Sequence, residues 1–469
     1  MRVPVPWGIH SYLSKSPYLS SQDLVNLYAE VQPAGSKSPV ALFRVPGTTQ
    51  FAIQASKTAV RGFGRLGTTV YVVIDDGFYS LSSAGVLTNL GTLSTSTGLV
   101  EMASTASRLG IVDGSYGYWY TVAGGFALIT DTDLNAPRSI TQQDGWFVFV
   151  TNDSSGQFQI TNTAGIDPLE YATAEGDPDG LVGTLSDHRE LWLFGERTIE
   201  IWWNSGNADF TFERIQGAFI EKGCGAQRSI TKLDNSIAWL GDDGVIYKAN
   251  QYTPGRISTH AIEQDIRSMT TWSDAVAYSH HWEGHEFYVI SFPTGKKTYA
   301  YDSSTGMWHR RTYWSAPNQD HALGQVAIDA YGKTLLGNRN SGTITYFSDT
   351  YTDNGSVIRW EVTSPPVSDD QQPGTISRLQ VDFEAGDSLV TGQGSDSKVM
   401  LQISRNGGRT FGPELWAGVG SIGDYRARTV WRRLGHYRKG VVFRLTGSDP
   451  VKSVQAGSVL SLTRGSDGD

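Results

Sequence analysis

Cysteine is all but missing from this chain. Cys224 is the single one in 469 residues, so an internal disulfide is ruled out and no paired-thiol metal spacing exists. Long apolar runs are missing too, because no stretch approaches the ~18 residues that a membrane-spanning helix needs. The opening residues Met1-Arg2-Val3-Pro4-Val5-Pro6-Trp7 contain no apolar core followed by a small-residue cleavage site, so no secretory leader and no membrane association are expected. Charge is sparse, at 18% of residues, and its balance is acidic, with a formal net charge of -9. That balance disfavours a conventional DNA reader, which carries a basic face. It is compatible with a conduit that DNA passes without sticking. No nucleophile elbow or Walker loop appears. Gly62-Phe63-Gly64-Arg65-Leu66-Gly67 has the wrong spacing for a dinucleotide fingerprint, with no helix expected after it.

Glycine is abundant instead, at 53 residues, together with 14 Trp and 21 Tyr. Aromatic and β-branched residues fill pleated faces, and glycine supplies tight turns. The composition points to many short strands and away from a helical bundle, which needs Ala, Leu, Glu and Lys.

About seven similar units recur between residues 60 and 350. Their apolar strands begin near Val70, Arg108, Trp146, Leu191, Ile237, Phe287 and Leu335, at steps of 38 to 50 residues. Each strand runs into a Gly or Asp turn, such as Asp75-Asp76-Gly77, Asp242-Asp243-Gly244, Thr294-Gly295 or Ser341-Gly342, and then into a second strand. Glycine gives the positive φ that hairpin turns require. Strand–turn–strand units at this period are the signature of propeller blades of about four strands each. A Pro-rich, polar stretch, Ser364 to Gly374, marks a boundary. Five further strands follow at 377–383, 398–404, 430–434, 441–445 and 458–462, enough for a sandwich or jelly roll. The expected fold is therefore all-β, a β-propeller of six to seven blades followed by a C-terminal β-sandwich. The expected division is 1–60 for an N-terminal arm and propeller entry, 61–362 for the propeller and 375–469 for the sandwich. Residues 21–30 read either as a short helix capped by Ser21 or as an extended arm lying on a neighbouring subunit.

Three segments imitate functional motifs. Ser404-Arg405-Asn406-Gly407-Gly408-Arg409-Thr410-Phe411 is similar to the Asp-box of sialidase-type propellers, with Asn406 and Phe411 in place of Asp and Trp. That box is a hairpin device remote from chemistry. Asp131-Thr132-Asp133-Leu134-Asn135 opens like a calcium loop, but Ala136 and Gln142 stand where the pattern needs Gly and Glu. His280-His281-Trp282-Glu283-Gly284-His285-Glu286 places His281 and His285 where one strand face would bring them together over a metal. A plain hairpin or loop is the expectation for all three, so no catalytic, cofactor-binding or metal residue is assigned.

The clearest electrostatic feature is the run from Arg426 to Arg444. Arg426, Arg428, Arg432, Arg433, Arg438, Lys439 and Arg444 follow one another with no acid between them. The rest of the chain holds 31 basic against 47 acidic groups. Three readings stay open. The run binds DNA, aided by Trp431 and Tyr437; it docks on the acidic body of a neighbouring subunit or adaptor through Arg forks; or its side chains are ordinary outward positions of strands.

Several segments resemble one family in order and spacing. They are Asp23-Leu24-Val25-Asn26-Leu27, Val45-Pro46-Gly47-Thr48-Thr49, Val60-Arg61-Gly62, Asp177-Pro178-Asp179-Gly180-Leu181-Val182-Gly183 with Phe194-Gly195 and Thr198-Ile199-Glu200, and Val430 to Gly440. Together they are similar to the tail-hub proteins of podoviruses, also called packaged-DNA stabilisation or tail accessory proteins. The chain departs from that family in its Asp-box-like hairpin and in shorter strands after Arg444. The resemblance implies a non-enzymatic virion protein that assembles as a homohexamer below the portal and its adaptor. Its implied partners are itself, the head-to-tail adaptor, tailspikes or tail fibres, and a tail needle or plug. DNA would pass without sequence-specific binding, and the protein would be made in the host cytoplasm. The competing reading is a glycan-binding or glycan-cleaving propeller, a lectin or glycoside hydrolase. A third is a protein-interaction propeller of cellular origin.

Overall fold

The computed structural model describes residues 2–17, 19–152, 156–174, 176–315, 318–368 and 372–464. Seven four-stranded antiparallel blades form a ring. Their innermost strands are Val60–Leu66, Glu101–Ser104, Pro137–Gln143, Leu181–Asp187, Thr231–Leu233, Val276–Trp282 and Gly324–Ala330. The last of these packs against the first, which closes the circle. Six blades are built from consecutive strands. The seventh takes its outermost strand, Gly47–Ile53, from the N-terminal side, paired with Thr343–Ser348. One α-helix is present among the described residues, His260–Ser268, begun by Thr259, whose hydroxyl accepts from Ile262 N.

The seven units seen in the sequence are the second strands of the blades, not the first. Thr69–Ile74 shows why they stand out. Val70, Val72 and Ile74 pack on Leu335 and Ile344 of blade 7, while Tyr71 and Val73 pack on Leu109 and Ile111 of blade 2. A strand buried on both faces reads as a continuous apolar run. The innermost strands interleave apolar with polar and charged residues, as in Val60–Leu66 and Pro137–Gln143, so they carry no such continuous signal. A Cβ at Gly62 would stand 2.3 Å from the Val100 carbonyl oxygen.

The sandwich has two sheets. One runs Leu27–Val31, Val40–Arg44, Gln455–Arg464, Gly374–Phe383, Thr429–Tyr437, with Arg2–Pro4 also on Gln455–Arg464. The other runs Ser21–Val25, Trp360–Thr363, Val442–Gly447, Ser397–Ser404, Leu415–Gly420. It continues into blade 6 through a parallel contact between Val25 and Arg310.

The N-terminal segment thus differs from the arm expected over residues 1–60. Of the two readings left open for residues 21–30, the extended one holds, as strands Ser21–Val25 and Leu27–Val31, and residues 2–44 supply strands to the chain's own sandwich. Val5, Leu24, Leu27, Ala29 and Leu42 are buried in one core with Leu379, Val381, Leu401, Trp431, Phe443 and Leu460. The segment is too short to bury its apolar face alone, and the C-terminal sheets supply the other half. Arg44 fastens the seam. It is 4% exposed and donates to the carbonyls of Asp449, Val451 (2.9 Å) and Ile358 (3.0 Å).

Candidate interaction surface

Thr429–Tyr437 is an edge strand, paired on one side only, with Gly374–Phe383. Trp431, Leu434 and Tyr437 point into the core, and the Trp431 indole donates to the Leu415 carbonyl at 2.7 Å. Regular alternation would bury every second residue. Here the register slips opposite Ile376 and Arg378, and Arg433 takes φ 56°. The bulge leaves two consecutive residues, Arg432 and Arg433, exposed together. The free edge is guarded: Arg405 donates to the carbonyls of Leu434 (2.7 Å) and His436 (2.8 Å), which blunts unwanted strand pairing.

Across the outer face of this sheet the register lines up like charges. Arg432 lies opposite Arg378, Arg378 opposite Ser461, and Ser461 opposite Arg2. Directly opposed residues share a face, and opposed like charges destabilise a sheet. Arg378 bonds through one terminal nitrogen to Gln380, while its Nε is buried without a hydrogen-bond partner. Arg426 and Arg428 approach the same face from the preceding loop. With Arg2 and Arg378 they line a groove of about 1380 Å³, whose one acid, Asp382, is already paired with Lys37.

The structure divides the seven basic residues singled out in the sequence. Arg426, Arg428, Arg432, Arg433, Arg438 and Lys439 are exposed, and none makes a side-chain hydrogen bond or ion pair among the described residues. Arg444 does not belong with them. It sits on Val442–Gly447 in the other sheet, ion-paired to Glu361 at 3.1 Å and stacked 3.6 Å over the Phe411 ring. Burial pushes the Glu361 carboxyl up, and Arg444 pulls it back. Arg444 is a strand-to-strand tie, which its place in a linear run does not reveal. Sequence reading also missed Arg2 and Arg378, which are far from the run and reach it only through the register.

The motif look-alikes resolve into local structure. In the Asp-box-like hairpin, Gly408 N donates to Ser404 Oγ (2.9 Å), Thr410 N to Asn406 Oδ1 (3.0 Å) and Asn406 Nδ2 to Thr410 Oγ1 (2.7 Å). The turn consumes its own polar groups. Asp131 spends its carboxylate on the amides of Asp133 and Ile166. His281 and His285 do not share a strand, because a turn at Glu283-Gly284 separates them. His281 is exposed beside Glu286, while His285 is buried with its Nδ1 2.7 Å from Asp302 Oδ2, a contact that raises its pKa. No cluster of three metal-ligating side chains forms among the described residues.

Two family models match the chain. One, described as the bacteriophage P22 Gp10 β-propeller, covers residues 1–352; the other, the bacteriophage P22 Gp10 β-sandwich, covers residues 359–461. The chain belongs to the bacteriophage P22 Gp10 family. That makes it a structural protein of a phage tail, from a family of tail-hub and stabilisation proteins, and a virion component. A search of curated proteins returns no match. Among solved structures, this P22 Gp10 relative is similar to the WD40 β-propeller domain of Doa1 (12% identity, 65% of this chain and 96% of that one, TM-score 0.41). It is also similar to the computationally designed Ika8 protein (9%, 64% and 100%, 0.39). A third likeness is to the extracellular domain of a putative one component system, BT4673, from B. thetaiotaomicron (9%, 81% and 48%, 0.43). Likenesses this distant carry no argument about what the protein does.

Proposed function

We propose that the chain is one subunit of a homohexameric tail hub seated below the portal and its adaptor. In this reading the ring retains packaged DNA, carries tailspikes or fibres and a needle, and conducts DNA on ejection. It works by assembly rather than by turnover. The observation behind it is the unpaired basic face of the sandwich in a protein that is otherwise acidic. Residues 46–352 hold 20 basic and 32 acidic side chains; the remainder hold 18 and 15. Six exposed cations without partners among the described residues, beside opposed arginines, lack counter-charges that a neighbouring acidic surface supplies. Arg forks suit carboxylates bidentately, and complementary charge steers and orients association. Arg426, Arg428, Arg432, Arg433, Arg438 and Lys439 are the contact residues proposed for a second copy or the adaptor, with Arg444 supporting them from the other sheet. No observation favours a glycan-binding or glycan-cleaving reading, because the hairpin that suggested it satisfies itself.

The test is the double substitution Arg432→Glu with Arg433→Glu. Both side chains are exposed and unpaired, so the isolated subunit keeps its melting temperature. Ring formation on portal and adaptor is lost, and phage particles leak their DNA. Mutant particles that retain DNA and carry complete tails would refute the assignment.

A further inference from the structure

Four of the seven innermost strands carry the same defect near their start. Pairing with the second strand slips between Val60 and Gly62, Pro137 and Ser139, Leu181 and Gly183, and Gly324 and Val326. The residues squeezed out are Arg61, Arg138, Val182 and Gln325. All four line one pocket of about 660 Å³ at the end of the propeller axis where these strands begin. A β-bulge re-aims a side chain, and bulges concentrate beside functional sites. The bulge recurs in register around the axis and brings these four residues to the wall of one pocket. Arg228 and Arg339 line the same pocket, so four guanidiniums converge in a region of the chain whose balance is strongly acidic.

These arginines are differently engaged. Arg61 is 1% exposed and spends its donors on the carbonyls of Asp75, Thr95, Thr97 and Gly98 and on the Thr95 hydroxyl. It is a clamp that adds its charge from behind. Arg228 is paired to Glu101 at 2.7 Å and donates to the Leu99 carbonyl, and Arg339 spends its donors on the carbonyls of Ala322 and His321 and on Asn340 Oδ1, so both contribute charge rather than free donors. Arg138 is the exception. It donates through Nε to Gln227 Oε1 at 3.3 Å, and its two terminal nitrogens make no hydrogen bond among the described residues. No carboxylate lies within ion-pair distance of Arg138 or Arg61 among those residues. Burial lowers the pKa of both, so both charges are partly desolvated. Desolvated cations without a counter-ion are costly, and a bound anion removes that cost. The lining acids are Glu196 at the exposed rim and Asp274, which accepts from Thr294 N through Oδ2 at 2.8 Å, while its Oδ1 is buried without a hydrogen-bond partner among the described residues and opposes an anion from one side.

We propose that this axial mouth is a binding site for a small phosphate-class oxyanion, held by the free fork of Arg138 with Arg228 and Arg339 around it. A planar guanidinium with two parallel free donors matches two oxygens of such an anion. The site is independent of the basic face of the sandwich and lies on another part of the molecule. The same chemistry is offered by free phosphate and by the backbone of a single strand of nucleic acid.

The experiment titrates the purified full chain with inorganic phosphate at constant ionic strength, with chloride as the reference, by calorimetry and thermal shift. A short single-stranded oligonucleotide forms the second arm. Saturable phosphate binding is expected, with affinity lost about tenfold or more in Arg138→Gln. Asp274→Asn keeps an acceptor for Thr294 and removes a negative charge, so it binds phosphate more tightly, an outcome that misfolding does not produce. An oligonucleotide that competes with phosphate and loses affinity in Arg138→Gln identifies the backbone as the source of the group. No saturable response to either probe, or equal responses in the native chain and Arg138→Gln, overturns the proposal.

Discussion

The propeller and the sandwich are both all-β, yet they are assembled in opposite ways. In the propeller, strands adjacent in sequence pair with each other, and one distant partner, Gly47–Ile53, closes the ring. In the sandwich, Arg2 pairs with Ser461, Leu24 with Val362 and Leu42 with Gln455. Their electrostatics differ as well. The propeller region is acidic with its arginines mostly engaged, while the sandwich displays six cations to solvent. Local pairing makes a stiff, self-sufficient body at low cost in loop closure. Distant pairing ties both ends of the chain into one unit and leaves an edge strand free to carry charge. On the function proposed above, one part is the body and the other the point of attachment.

The largest expected effect comes from separating the parts. Residues 359–461 alone lack Val5, Leu24, Leu27, Ala29 and Leu42 from their core. Burying each large side chain is worth roughly 1.5–3 kcal/mol, a serious loss against a typical domain stability of about 5–15 kcal/mol. The fragment is expected to be unfolded by circular dichroism and limited proteolysis, and fusing residues 2–45 to it restores a cooperative transition. Cooperative unfolding of 359–461 by itself would remove the comparison.

Next in size are Arg44 in the seam and Arg61 at the axis, two of the three buried arginines that have no carboxylate ion pair among the described residues, the third being Arg311. Burial lowers the Arg44 guanidinium to about 10, with Tyr351 and Asp449 partly opposing it. Arg44→Met in the seam and Arg61→Met at the axis each strand several backbone carbonyls. Each is expected to cost about 3 kcal/mol in urea unfolding, from the desolvation penalty of the orphaned acceptors. A loss below about 1 kcal/mol at Arg44 would mean that the N-terminal seam is held by apolar packing alone.

The smallest effect is pH-dependent and confined to the propeller. His280 is fully buried against Phe347 and Phe287, and neither ring nitrogen has a hydrogen-bond partner. Burial, then Arg311 and other neighbours, holds it well below the ordinary histidine value. The unfolded chain therefore binds a proton near pH 6.5 that the folded one refuses, and stability falls as pH drops below that value. His309 acts in the same sense. His285 acts oppositely, since Asp302 raises it: its contribution is full below the unfolded value and fades as pH rises through the raised one. His280→Phe keeps the ring and removes an unsatisfied polar group, worth about 1–3 kcal/mol. Its melting temperature should rise more at pH 5 than at pH 8. An equal rise at both would show that His280 does not titrate on unfolding.

How much was legible follows from the range of each signal. Turn chemistry and the spacing of apolar strands are local, so the repeats from Val70 to Leu335 marked the blades, whereas the prolines after Ser364 fall inside the sandwich, just after its strand Trp360–Thr363. The seven innermost strands were invisible because they carry no continuous apolar run, and at Gly62 the close approach of the Val100 carbonyl leaves no room for a side chain. Composition placed six cations in one short run and put Arg444 among them wrongly. Pairing with Trp360–Thr363 and Ser397–Ser404 places the strand of Arg444 in the other sheet, where Glu361 and Phe411 hold the side chain.

By itself the sequence determined an all-β chain of repeated hairpins, with a single cysteine and so no internal disulfide, and with an acidic overall balance. Only the tertiary structure decided that residues 2–44 complete the sandwich, that Gly47–Ile53 closes the ring, and that Arg2, Arg378 and Arg432 line up across one sheet. Those facts depend on pairing between residues hundreds of positions apart. Register over such distances is set by the shape of the assembled core, and no pattern within a short stretch of chain records it.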